Sequence, residues 1–362
     1  MKMLFVMPAM QYSGAPKMMA TVANWFAESG EDVTVCTFFK SKVTQNLHSS
    51  ISVECLEIER SKSRIRQLTT DYFRISGEIY NYVMNKKADV VITFGDLFST
   101  LTLSKLKKAG QCVIVSERVD PSRKDLLSAY KRQAFRNANG FVFQTEGAKR
   151  CFSDDVQKNS YVIPNPVTVS ETECVPFAER NKKIVSVGRF EFKQKRQDLL
   201  IKAFSEVYKK HPDYTLYFYG DGADLSAAKT MAQQTEAKDA VVFAGAVSPI
   251  EDYIKDASLM VLSSDYEGIP NAIIESMNMK IPVVSTDCSP GGARLLLGDD
   301  EYGYIVPAGD EKALAERICY AIENMDEMFD KCEKAKESLV RFKSETIAQM
   351  WKDAVSEIKN RR

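Results

Sequence analysis

Asp265-Tyr-Glu-Gly-Ile-Pro-Asn-Ala-Ile-Ile-Glu-Ser276 is the stretch around which the chain is organised. An apolar run, Leu259-Met-Val-Leu262, precedes it and reads as a buried strand. Residues from Asn271 to Met279 read as a helix, so the stretch is a strand, a tight turn and a helix N-terminus. The first amides of a helix lack internal partners and carry partial positive charge, which suits a phosphate. Gly268 lets the backbone approach closely, and Pro270 sits where a missing N–H costs little. Glu267 then stands at the mouth of the site. Glu275, further along, is placed to meet a ribose. By spacing alone, an ordinary strand-loop-helix connection with two solvated glutamates explains the pattern equally well.

Working outward, Val187-Gly-Arg-Phe190 and then Lys195-Arg-Gln-Asp-Leu-Leu200 form a second cluster. A strand ends at Gly188, and Arg189 and Lys195 follow. A guanidinium fork with an ammonium point charge suits a phosphate-type anion. Cations at a helix start are also commonly just solvated. Gly220-Asp-Gly222 ends another apolar run, where glycines permit a nucleotide to come close or merely make a turn.

Glu267-x7-Glu275, with Gly-Ile-Pro-Asn inside and Pro282-Val-Val-Ser-Thr286 after it, resembles the retaining glycosyltransferases of family 4. That resemblance implies the α/β GT-B fold: two Rossmann-like, doubly wound parallel-sheet domains facing across a cleft. It also implies a nucleotide-sugar donor, with UDP the expected nucleotide and an N-acetylhexosamine or hexose the expected sugar. Glu267, Arg189 and Lys195 take the catalytic positions. Gly14, Gly188, Gly220, Val247, Gly268, Ile269, Pro270, Asn271 and Glu275 take donor-binding ones. Arg196 stands where relatives usually carry glycine, and the spacing favours Lys195 over Lys193. Ser13-Gly14-Ala15-Pro16 keeps one glycine of the family's first loop and lacks its acid. Ser116-Glu-Arg118 replaces a Ser-Glu-His, leaving Arg118 to hold a phosphate, a hydroxyl or the fold itself. Asp96, Glu117 and Arg118 are the acceptor-side candidates.

The length of 362 residues suits two domains: 1–167, a linker at 168–181, 182–342, and a last helix at 343–362 crossing back to the first. Strands are expected near 2–7, 32–38, 51–56, 89–94, 113–118, 141–143 and 161–163. A second series is expected near 184–187, 214–219, 241–243, 259–262, 282–285 and 303–306, with helices between. Such alternation predicts parallel sheets covered on both faces.

Eight cysteines without a C-x-x-C pair point to reduced thiols in a cytoplasm, and the N-terminus reads as a strand and not a signal peptide. With only His48 and His211, a histidine-rich metal site or a Ser-His-Asp device is disfavoured. No Asp-x-Asp motif occurs, so no metal and no further cofactor is expected. Net charge is zero, yet residues 1–168 carry 23 Lys and Arg against 16 Asp and Glu, and the remainder 26 against 33. The basic half is concentrated at Arg60, Lys62, Arg64, Arg66 and Arg74, and again at Arg123, Lys124, Lys131, Arg132 and Arg136. That suggests an anionic membrane surface and a glycan or lipid-diphosphate-linked acceptor at the inner face of the plasma membrane. Solvated helix faces explain the same clusters. Nucleic acid is not an expected partner. A sugar-nucleotide epimerase of the same fold and a non-catalytic sugar-nucleotide-binding subunit are the alternatives.

Overall fold

The computed structural model describes residues 1–10, 14–41, 45–61, 70–118, 120–122, 126–167 and 174–361. The expectations placed on Ser13, on Lys62, Arg64, Arg66, Arg123 and Lys124, and on the linker from 168 to 173 lie outside those residues. The chain divides into two units: Met1–Asn165 with the chain from Glu345 onward, and Pro166–Ser344.

The first unit runs β1 (Lys2–Met7), α1 (Gly14–Glu28), β2 (Asp32–Thr37), β3 (Ser52–Cys55), α2 (Thr70–Lys86), β4 (Val90–Thr93), α3 (Leu97–Lys108), β5 (Val113–Glu117), α4 (Leu126–Phe135), β6 (Gly140–Phe143), α5 (Glu146–Arg150), α6 (Asp154–Lys158) and β7 (Ser160–Val162). Its seven strands are parallel, in the order β3-β2-β1-β4-β5-β6-β7. Parallel strands covered on both faces must be apolar on both, and β4 and β5 are buried at every position. The sequence pattern did not announce α3, whose Thr- and Ser-rich face is weakly patterned. Asp96 starts it, accepting a hydrogen bond from the Ser99 amide at 2.9 Å.

The second unit runs β8 (Asn181–Val187), α7 (Phe192–Lys195), α8 (Gln197–Lys210), β9 (Thr215–Tyr219), α9 (Leu225–Gln233), β10 (Val241–Gly245), α10 (Glu251–Ile254), β11 (Ala257–Leu262), α11 (Asn271–Asn278), β12 (Val283–Thr286), α12 (Gly292–Leu297), β13 (Tyr304–Val306), α13 (Glu311–Glu323) and α14 (Met325–Ser338). Its six strands are parallel, in the order β10-β9-β8-β11-β12-β13. The order reverses between β8 and β11. In open α/β sheets, ligands bind beyond the strand carboxyl ends at such a reversal. β8 ends at Gly188 and β11 leads into the 265–276 stretch, so both sequence clusters lie at that point. The final helix, α15 (Ser344–Asn360), packs with the first unit, where Ile347, Trp351, Ala354, Val355 and Ile358 share a core with Met3, Phe5 and Val35.

Both units are Rossmann-like parallel sheets, as the alternation of strands and helices predicts and as the resemblance to GT-B enzymes implies.

Candidate active site

Elements far apart in sequence meet at the reversal in the second unit. The Lys195 ammonium lies 2.5 Å from Glu267 Oε1, and both side chains are largely covered, at 21% and 10% exposure. Ser264 donates its hydroxyl to the same carboxylate oxygen at 2.8 Å. The Glu267 amide donates to the Ser289 carbonyl at 2.8 Å, and the Ser289 amide donates to the Asp265 carbonyl at 3.0 Å. One carboxylate is thus aimed by the backbone on one side and by a hydroxyl and an ammonium on the other. Lys193, the other candidate cation, is exposed and outside this group.

The strand ends are closed by glycine. The Gly188 amide donates to the Tyr219 carbonyl at 2.9 Å, and the aliphatic stem of Lys195 runs beside Gly188. A Cβ at Gly220 would sit 2.0 Å from the Gly188 carbonyl oxygen, so Gly220 is a packing requirement between β8 and β9. Arg189 is less engaged than its sequence position suggests. Its guanidinium is 66% exposed and pairs with Glu191 at 2.7 Å, so it joins neither Lys195 nor Glu267 directly.

Past the loop, Pro270 occupies the cap position of α11 and no side chain caps that helix end. Gly268 and Asn271 are exposed, while Ile269 is half-buried. Glu275 is half-buried and its carboxylate has no hydrogen-bond partner among the described residues. Burial, with the negative charge of Glu251, holds its pKa above the ordinary carboxylate value. An unsatisfied, half-buried acceptor one turn into the helix suits a pair of ligand hydroxyls. Val247 follows β10 and packs against the second unit's core. Gly14 is the first residue of α1, in the first unit.

Residues 289–292 were missed by the sequence reading. Gly292 packs so closely on the loop that a Cβ there would lie 1.6 Å from the Gly268 carbonyl oxygen. The available signal was Ser289-Pro-Gly-Gly292 directly after a buried strand, at the carboxyl edge of the sheet. Gly292→Ala is expected to destabilise the protein by about 1–3 kcal/mol through overpacking. A lower urea midpoint at unchanged m-value reads that out, and an unshifted midpoint would show that Gly268 yields freely.

The acceptor-side candidates divide. Asp96 and Glu117 line a pocket of about 290 Å³ in the first unit, with Gly95, Leu127, Lys131 and Arg132. Glu117 is 3% exposed and pairs with Lys131 at 2.7 Å. Burial raises the Asp96 carboxyl against the bonds from Ser99 and Thr93. Arg118 does not line this pocket. Its guanidinium lies 5.6 Å from the ring centres of both Phe94 and Trp351 and donates to Asn165 Oδ1 at 3.1 Å. Burial lowers its pKa to about 9. Its Nε and Nη2 are buried with no hydrogen-bond partner among the described residues, so the placement is compatible with a phosphate, a hydroxyl or the fold itself as its partner.

Residues 172–338 match the family described as glycosyl transferases group 1. The match falls within the second unit. The chain is 21% identical to the Campylobacter jejuni GalNAc-alpha-(1->4)-GalNAc-alpha-(1->3)-diNAcBac-PP-undecaprenol alpha-1,4-N-acetyl-D-galactosaminyltransferase, across 363 residues and 99% of each chain. Among solved structures, the lipopolysaccharide outer core galactosyltransferase WaaB in its apo form superposes with a TM-score of 0.79, covering 99% of both chains at 18% identity. Anabaena Alr3699/HepE in complex with UDP-glucose superposes at 0.69, covering 98% of this chain and 99% of that one at 17% identity. At these identities the structural likeness speaks to the fold.

Proposed function

We propose that this glycosyltransferase moves a hexose or N-acetylhexosamine from a UDP-sugar to a glycan or lipid-linked acceptor, with retention at the anomeric carbon, in the synthesis of a surface polysaccharide. The observation that carries the proposal is the Lys195–Glu267 pair at the strand reversal, next to the uncapped N-terminus of α11. The UDP-glucose complex of the Anabaena relative and the undecaprenol-diphosphate acceptor named for the Campylobacter one support the two substrate classes.

The diphosphate lies against the first amides of α11, where the helix end favours negative charge. As the bond to the sugar breaks, Lys195 turns from Glu267 to the leaving oxygen, and Arg189, two-thirds exposed, closes on the same charge. Glu267, released, faces the sugar ring as it gains positive charge. Glu275 accepts from the ribose hydroxyls. These groups supply the positive charge that the reaction requires, so the mechanism includes no metal. Asp96 and Glu117 offer carboxylate acceptors to the hydroxyls of the incoming glycan.

A thermal-shift screen of nucleotide sugars, followed by assay of UDP release and of the product's anomeric configuration, tests this reading. Binding without release under any acceptor would make the chain a carrier of sugar nucleotides. Interconversion of two UDP-N-acetylhexosamines would make it an epimerase. An inverted product would overturn retention.

A peripheral position on the inner face of the plasma membrane is part of the proposal. Among the described residues no helix is long and apolar enough to cross a membrane. On α4, however, Leu126 is 92% exposed, and Leu127 and Tyr130 stand out beside Lys131 and Arg132. Exposed apolar side chains suit a lipid surface, and Lys131 and Arg132, though half-buried and held by Glu117 and the Pro121 carbonyl, add positive charge beside them. Sedimentation with anionic vesicles is expected at low salt, weakening as salt rises and in Leu126→Asp. Failure to sediment at low salt would leave α4 as an ordinary surface.

A further inference from the structure

Arg196 sits between α7 and α8 in the left-handed backbone region, at φ 51° and ψ 42°. Side chains other than glycine's adopt that region at a cost, and keep it where the surroundings over-determine it. Here the surroundings are specific. Two contacts of 3.0 and 3.1 Å join Arg196 Nη1 to the two oxygens of Asp265. Nε and Nη2 of the same guanidinium donate to Asp198 at 3.2–3.4 Å. The two carboxylates raise its pKa further and leave the fork little freedom to swivel.

The neighbours of Arg196 grip the same loop. The Asp265 amide donates to the Gln194 carbonyl at 2.9 Å, and the Gln194 side chain donates to the Tyr266 carbonyl at 3.2 Å. Ser263 donates its hydroxyl to the Lys195 carbonyl at 2.8 Å. Residues 194, 195 and 196 are therefore each tied to the segment 263–267, and Arg196 is the only one of the three whose side chain holds that segment by charge from outside the Lys195–Glu267 contact.

We propose that Arg196 is a positioning residue for sugar transfer: its guanidinium clamps Asp265 and so fixes the loop that sets Glu267 against Lys195. The proposal rests on the glycosyltransferase reading above for its kinetic consequence and on the geometry alone for the clamp. Arg196 touches no reacting atom in this account. A lysine at 196 supplies one point charge and cannot bridge Asp265 and Asp198 together. A glycine removes both the clamp and the backbone strain, so it separates positioning from stability.

Three variants, Arg196→Gly, Arg196→Lys and Asp265→Asn, test the proposal beside the double variant of Arg196→Gly and Asp265→Asn. Turnover is read with the UDP-sugar found by the screen, UDP affinity by calorimetry, and loop order by amide hydrogen exchange. All three single variants are expected to lose about tenfold in kcat through misplacement of the loop. Affinity for UDP itself is expected to stay within about twofold, since Arg196 makes no donor contact. The double variant is expected to fall no lower than Arg196→Gly, because both changes remove one interaction. In Arg196→Gly the amides of Asp265 and Glu267 are expected to exchange faster. Unchanged kcat, additive losses, or UDP affinity falling in step with kcat would overturn the positioning role. If the wild-type protein releases no UDP from any nucleotide sugar, the transfer reading fails, and exchange at those two amides still decides the clamp: unaltered exchange in Arg196→Gly sinks it.

Discussion

Lys195→Ala is expected to lower kcat/KM by about 2–4 kcal/mol of transition-state stabilisation while leaving the protein folded. The ammonium lies over Gly188, at the end of β8, and pairs with Glu267 from the loop after β11. On the proposed mechanism it stands where charge from a departing diphosphate arrives, between two paired strands of the sheet. Removing it costs the reaction its nearest covered cation and leaves the Glu267 carboxylate with Ser264 as its remaining side-chain partner. Steady-state kinetics and a thermal melt together check the expectation. A folded variant with full kcat/KM would remove Lys195 from the site. Arg189→Ala, whose guanidinium is two-thirds exposed and already paired with Glu191, is expected to lose less.

The two glutamates are expected to fail in different ways. On the proposed mechanism Glu275 holds a ribose that is bound alike before and during bond breaking, so Glu275→Gln should mostly raise the donor KM. On the same mechanism Glu267 faces a sugar that gains positive charge only as it reacts, so Glu267→Gln should mostly lower kcat. The geometry sharpens the contrast. Glu267 starts out bonded to Lys195, Ser264 and, through its amide, Ser289, whereas the Glu275 carboxylate has no partner among the described residues. Donor titrations at saturating acceptor separate the cases. If Glu267→Gln kept full kcat while Glu275→Gln lost it, the two roles would have to be exchanged.

Sequence made the sheets legible because parallel strands covered on both faces must be apolar throughout. Leu259 to Leu262 and Val113 to Val115 carry that mark and lie where it placed them. It made α3 illegible because that helix is fixed by Asp96 at its cap and by neighbours on both sides, not by a strong apolar stripe. In the site, Lys195 and Glu267 could be picked out since their chemistry depends on the side-chain type. Gln194 and Ser289 could not, because much of their work is done through carbonyls and amides that every residue possesses. Arg118 illustrates a third limit. The aromatic slot that holds it is closed by Trp351, a residue from the far end of the chain, and no local pattern announces such a partner.

That same far end has a consequence for how the molecule is made. The first unit's core includes Ile347, Trp351 and Ile358, and Gly140 on β6 is hard against the Ile358 side chain. A ribosome adding about 5–20 residues each second needs roughly 10–40 s to travel from Asn165 to this helix. The second unit is one continuous segment and is free to fold during that interval. The unit synthesised first meanwhile waits with an apolar face uncovered until that helix emerges to seal it.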